Sequence, residues 1–238
     1  MIRLIHFIPI ITTLVTIPFT VILFRHWRKK PEALYVMWWA IGVLTYGVGT
    51  LTESLTTLVG WHLPIFKAWY ISGALLGGAP LAQGSIYLLM KRKTAHMLTV
   101  GLVAIVCIAS VFVLLSPVNM AAVEVHRLSG SVFEWQWVRA FSPFINTYAL
   151  IFLVGGAFWS AFKYRSAGDE FRGRYVGNIL IAVGALLPGI GGTATRAGYV
   201  EVLYVTELIG LSLIWLGYHK MAVDRSKSIH ANQAVAVS

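Results

Sequence analysis

Residues 5–24, IHFIPIITTLVTIPFTVILF, and the seven that follow, RHWRKKP (residues 25–31), decide the fold. The first stretch holds no Asp, Glu, Lys or Arg. Twenty helical residues rise about 30 Å, the thickness of a bilayer's hydrocarbon core. The second stretch places Arg25, Arg28, Lys29 and Lys30 where such a helix would leave the membrane. The opening MIRLIHF lacks the basic segment and cleavage site of a signal peptide, so this is expected to be a retained first helix. Pro18 is expected to kink it.

The same reading repeats along the chain. Apolar runs predict further helices over about 33–58, 67–90, 97–115, 143–162, 175–193 and 199–219. Residues 60–64 (GWHLP) form a short turn, 116–142 the longest loop and 163–174 the most charged one. The expected fold class is an all-α membrane bundle of seven transmembrane helices, one domain over residues 1–224. Residues 225–238 are expected to be a short, polar, disordered tail. Composition agrees. The chain is 58% hydrophobic and 12% charged, with a mean hydropathy of +0.74, against about 45–50% and about 25% for soluble domains.

The net charge of +10 would suit nucleic acid, but its distribution excludes that partner. The basic residues cluster after every second helix, in loops holding 14 of the 19 Lys and Arg and four of the nine Asp and Glu. The remaining segments carry five of each. The whole excess lies on one side, which the positive-inside rule makes cytoplasmic. The N-terminus is then outside, the C-terminus inside, and the expected location is the cell (inner) membrane, with anionic lipid as counter-charge. Trp27, Trp61, Trp69, Trp135, Trp137 and Trp215 fall near predicted helix ends, as anchors at the headgroups do.

Candidate chemistry is sparse. Cys107 is the single cysteine, so no internal disulfide or cysteine-based metal motif is expected. The histidines show no paired spacing, so no metal site and no cofactor are expected. They divide into His6, His62 and His126 on the outer side and His26, His96, His219 and His230 on the inner side. PGIGG (residues 188–192) lacks the Lys-Ser/Thr of a phosphate loop and is expected to be a broken or hinged end of the sixth helix. Gly73 and Gly77 form a GxxxG packing motif. Gln83 and Asn178 are expected to hydrogen-bond between helices.

Charged groups inside the membrane are costly, about 2.5–3.5 kcal/mol on insertion scales, and mark function by default. Glu53 and Glu207 qualify, each about 8–12 Å below the outer surface by helical rise. Gly42, Thr45, Gly49, Glu53 and Thr56 share one face of their helix, as do Glu207, Gly210, Ile214 and Gly217. Small-residue faces admit neighbouring helices, so both carboxyls are expected to point into the bundle. If the second and seventh helices touch, the pair would line an outward-facing pocket. Tyr204, Thr206, Tyr70, Arg196, Thr52 and Thr57 are near in depth. Alternatively, each carboxyl is protonated and hydrogen-bonded to a neighbouring helix, or paired with Arg196 or Lys67. No nucleophile–base pair or metal cluster points to an enzyme.

Two resemblances add to this. The stretch VLYVTELIGLSLIWL (Val202–Leu216) resembles the seventh helix of microbial opsins. Leu208 stands where that family places its retinal-binding lysine, so covalent retinal is not expected. The stretch FRGRYVGNILIAVGALLPGIGG (Phe171–Gly192), with the order and orientation of the helices, resembles the seven-helix sensor region of bacterial histidine kinases and diguanylate cyclases. That likeness implies a sensor; the placement of Glu53 and Glu207 separately leads to the expectation that they contact a small polar or cationic ligand. A partner protein would dock on residues 25–30 and 163–174, since only a short tail follows the last helix. The alternatives are a structural or accessory subunit of a larger membrane complex, or a small transporter.

Overall fold

A computed structural model describes residues 4–235 apart from His126, with side chains described as far as Ala222 and excepting Asp169. The helices are α1 (Ile8–Lys29), α2 (Leu34–Val59), α3 (Leu63–Trp69), α4 (Ala79–Leu89), α5 (Arg92–Leu115), α6 (Phe141–Ala149), α7 (Gly156–Tyr164), α8 (Arg172–Arg196) and α9 (Val200–Val235). A 3-10 turn, Leu4–Phe7, precedes α1. The expected tail lies where side chains are not described.

Six segments are long and apolar enough to cross a membrane: Leu4–Lys29, Leu34–Val59, Arg92–Leu115, Gln136–Tyr164, Arg172–Arg196 and Val200–Ala222. The chain is therefore a multi-pass helical membrane protein in contact with lipid. Its outward side chains agree, with Leu14, Val100, Ile108, Val111 and Phe162 all exposed.

The helix expected over 67–90 is not continuous. It starts earlier, as α3, and widens into a π-helical turn over Tyr70–Leu75. It then breaks and restarts as α4. Pro80 accounts for the restart: it has no N–H to give the carbonyl of Leu76, and its ring crowds the preceding turn. The π turn closes with Leu76 N–H donating to Ile71 O at 3.0 Å. A second π turn, Leu150–Gly155, joins α6 to α7 without a break.

The break expected at Pro188 is absent, and α8 runs on to Arg196. The reason lies in α9. The carbonyl of Gly184, which loses its donor at Pro188, lies against Gly210, where an added Cβ would approach it to 2.6 Å. The same register repeats one heptad away in each direction. Gly177 meets Gly217, and Gly191 meets Leu203 and Thr206. Small residues every seven positions let two antiparallel backbones close along their length. The turn between them is tight. Gly198 takes φ +101°, and the N–H groups of Gly198 and Tyr199 donate to Thr195 O and Ala194 O, both at 3.0 Å. This is a Schellman cap, which needs the left-handed residue.

The same device seats α2. Gly49 meets the backbone of Gly73, Gly42 meets Leu81 and Gly47 meets Thr16. The buried core has two parts. One surrounds Phe19, Leu23, Val43, Leu81, Ile181 and Leu211. The other surrounds Phe66, Tyr70, Leu75, Val113, Phe133 and Ile145. Loop 116–140 folds over the second. Phe133 is 1% exposed, with its ring 4.9 Å from Phe66 and 4.8 Å from Tyr70. Arg127 ties this loop to α8 by donating to Thr195 O at 3.0 Å.

Candidate functional site

The polar face of α2 is mostly satisfied by its own helix. Thr50, Thr52, Ser54 and Thr56 are buried, and each hydroxyl donates to a carbonyl three or four residues back. Such back-bonding lets hydroxyls sit in an apolar interior. Glu53 lies among them at 4% exposure, and its carboxyl reaches away from the helix. Oε1 accepts from Trp69 Nε1 at 3.0 Å. Trp69 is the last residue of α3 before the π turn, so the irregular segment sets the position of this donor. π turns recur at functional sites in membrane and soluble helices alike.

Glu207 comes from the other side of the core. The two carboxyl groups lie within hydrogen-bonding and electrostatic reach of each other. Each leaves its Oε2 buried without a partner. Tyr46 of α2, 7% exposed, donates its hydroxyl to the backbone carbonyl of Glu207 at 3.0 Å. Among the described residues, α2 and α9 make few close backbone approaches, whereas α1 packs against both. The pair is thus formed by side chains meeting across the bundle rather than by two helices lying flush.

The other sequence candidates divide. Tyr204 is 3% exposed, stands within electrostatic reach of both carboxyls, and has its ring 6.1 Å from that of His6. Thr57 donates to the carbonyl of His6 at 3.2 Å. Thr206 turns to α8: it packs against Gly191 and bonds within its own helix to Val202 O and Leu203 O. Tyr70 is buried against Phe133, within electrostatic reach of Arg139 and Arg196. Arg196 is exposed at the end of α8. Lys67 donates to Leu114 O at 2.5 Å. Among the described residues, neither Lys nor Arg forms a salt bridge with Glu53 or Glu207.

Two carboxylates 4 Å apart repel by about 4 kcal/mol at an effective dielectric of ~20. Buried contact therefore demands a positive charge between them, either a proton or a small cation. Among the described residues no three His, Cys, Asp or Glu side chains gather as a metal cluster. Two acidic groups are what the site offers, together with tyrosine and tryptophan. That set suits a singly charged cation better than a divalent one, which takes six or more oxygens or several strong ligands. The cavity of about 30 Å³ in the core lies elsewhere. It is lined by Phe19, Leu23, Trp39, Val43, Leu81 and Ile214, two to three helical turns from the carboxyls, and its walls are apolar.

Sequence reasoning missed Trp69 and Tyr46. Trp69 was expected at the headgroups, and Tyr46 carried no signal. The sequence signals near Trp69 were Gly49 on the small-residue face of α2 and Gly73 of the GxxxG motif, four residues after it; their approach brings α2 against the π turn. Gln83 does join helices: it is 0% exposed and donates to Ala95 O at 3.1 Å and Thr99 Oγ1 at 2.7 Å. It also accepts from Tyr148. Through Thr99 and Tyr87 this network reaches His96 at the surface. Asn178 instead bonds to Arg174 O of its own helix at 2.8 Å, because the Gly177–Gly217 approach leaves its neighbour on the seam and turns the amide aside.

Fold and site together define a multi-pass α-helical membrane protein with a buried dicarboxyl centre. No protein-family model matches the chain, and no curated protein is similar enough to match it.

Proposed function

We propose that this chain crosses the cell (inner) membrane seven times, N-terminus outside, and senses a small cationic ligand at Glu53 and Glu207. The third crossing would be the broken segment from α3 to α4. The observation that carries the ligand reading is the buried contact of two carboxyls that lack any Lys or Arg partner among the described residues. Tyr204, which stands within electrostatic reach of both, and Trp69, which donates to one, supply the aromatic surroundings that cations favour. The outward direction rests on depth. Glu53 lies six residues, about 9 Å, from the end of α2 that the charge pattern makes external.

Signalling would pass to a partner protein on the cytoplasmic side, as the resemblance to kinase and cyclase sensor regions suggests. The loop before α8 is suited to this. The Arg174 guanidinium lies 5.1 Å from the Phe171 ring and 5.6 Å from the Tyr164 ring, and the two rings stack. These contacts couple the loop to the start of α8, whose far end adjoins the turn into α9 and so Glu207.

A native mass spectrum of protein released from mild detergent tests the reading. A discrete small-molecule increment above 26.3 kDa that disappears in the Glu53→Gln, Glu207→Gln double variant supports it. A bare mass, or one that appears only with other polypeptides attached, would favour an accessory subunit of a larger complex.

A further inference from the structure

We infer that the Glu53–Glu207 centre is a one-for-one exchange site, in which an entering monovalent cation displaces a single proton shared by the two carboxyls. This rests on the cation-binding reading above and specifies its chemistry.

The argument begins with atoms. Two buried carboxyl groups within reach of each other, each with an unpartnered oxygen, can bond to one another only through a hydrogen, because a carboxylate alone has only acceptors. The surrounding donors do not supply it. Trp69 Nε1 is committed to Glu53 Oε1, and the Tyr46 hydroxyl to the backbone carbonyl of Glu207. Each Oε2 remains buried without a donor. One carboxyl O–H donating to the other carboxylate satisfies the contact, leaving the centre with a charge of −1.

The exchange keeps the charge of the centre constant. A monovalent cation entering with the proton retained would take the centre from −1 to 0. A cation entering as the proton leaves keeps it at −1, so a buried site changes occupant without changing charge. The O–H bond breaks, the proton passes to solvent, and both carboxylates then coordinate the cation. The groups around the centre allow this. Tyr46 of α2 and Tyr204 of α9 stand nearest, with His6 of the leading turn and Glu201 of α9 beside Tyr204. Arg127 and Arg139 of the 116–140 loop and Arg196 of α8 stand farther out, around Tyr204 and Tyr70. Among the described residues none of these arginines forms a salt bridge to either carboxyl.

The test uses methylammonium chloride added to the full chain in lightly buffered detergent solution, reading thermal stability and released protons together. The expected result is a rise in melting temperature with about one proton released per chain. Infrared difference spectra should show loss of a protonated-carboxyl band in the same titration. Stabilisation without proton release would overturn the exchange while leaving the cation-binding reading intact. Neither stabilisation nor release would overturn both. Without added cation, Glu53→Gln and Glu207→Gln should each abolish the whole protonated-carboxyl band, since either change removes the shared proton. Persistence of half the band in each would mean two independent protons and would overturn the inference. The infrared change in the unaltered protein decides the question if a variant fails to fold.

Discussion

The indole of Trp69 donates to Glu53 at 3.0 Å, and it does so from the last turn of a helix that immediately widens into a π turn. An ordinary α-helical continuation would turn every following side chain by a different angle and would alter how Ser72 and Gly73 of the π turn seat against Gly49. The irregularity of this segment and the position of the carboxyl are therefore one feature.

Replacing Trp69 by Phe keeps an aromatic ring and removes the donor. A hydrogen bond to a charged group contributes about 1.5–3 kcal/mol. Trp69→Phe should therefore destabilise the empty protein by about that much, and the misplaced Glu53 should bind methylammonium about tenfold more weakly. Equal affinity in a thermal-shift titration would show that Trp69 does not position Glu53.

The α8–α9 seam should be intolerant of side chains. Gly210→Val places new carbon against the Gly184 carbonyl and Pro188, an overpacking that costs about 1–3 kcal/mol. Gly189→Ala, with nothing within 4 Å of its added Cβ, should be neutral or slightly stabilising, as helix propensity favours Ala over Gly. Melting temperatures of the two variants in one detergent check the contrast.

Gln83 and Asn178 look alike in the sequence and should behave differently. Gln83→Leu strips partners from Tyr148 and Thr99 in a buried place, at a cost of about 1–2 kcal/mol. Asn178→Leu removes a bond within one helix and should cost less than about 0.5 kcal/mol. Comparable losses in both would mean that the Gln83 network does not hold α4 to α5 and α6.

Topology is open to labelling. In a Cys107→Ala background, His62→Cys and Ser131→Cys should react with a membrane-impermeant maleimide from outside intact cells. Lys91→Cys and Ala167→Cys should react only after permeabilisation. Same-side labelling of positions 62 and 91 would mean that the broken segment between them does not cross.

The sequence alone determined that this chain lives in a membrane, because the free energy of placing a run of side chains in hydrocarbon depends on composition and length and hardly on neighbours. Ile5–Phe24 followed by Arg25–Lys30 is enough for that. It also marked Glu53 and Glu207, since a carboxyl in an apolar run is conspicuous wherever it points. The break before Pro80 was legible in principle, as a missing N–H is a property of one residue; the survival of α8 past Pro188 was not, because it rests on Gly210 of another helix. Only the tertiary structure brought Glu53 to Glu207, drew in Trp69 and Tyr46, and turned Thr206 away to Gly191. Helical periodicity gives the face a residue occupies. Which face of which helix it meets depends on crossing angles and on how closely backbones approach at Gly49–Gly73 and Gly184–Gly210. Those are properties of pairs of segments, and no single segment encodes them.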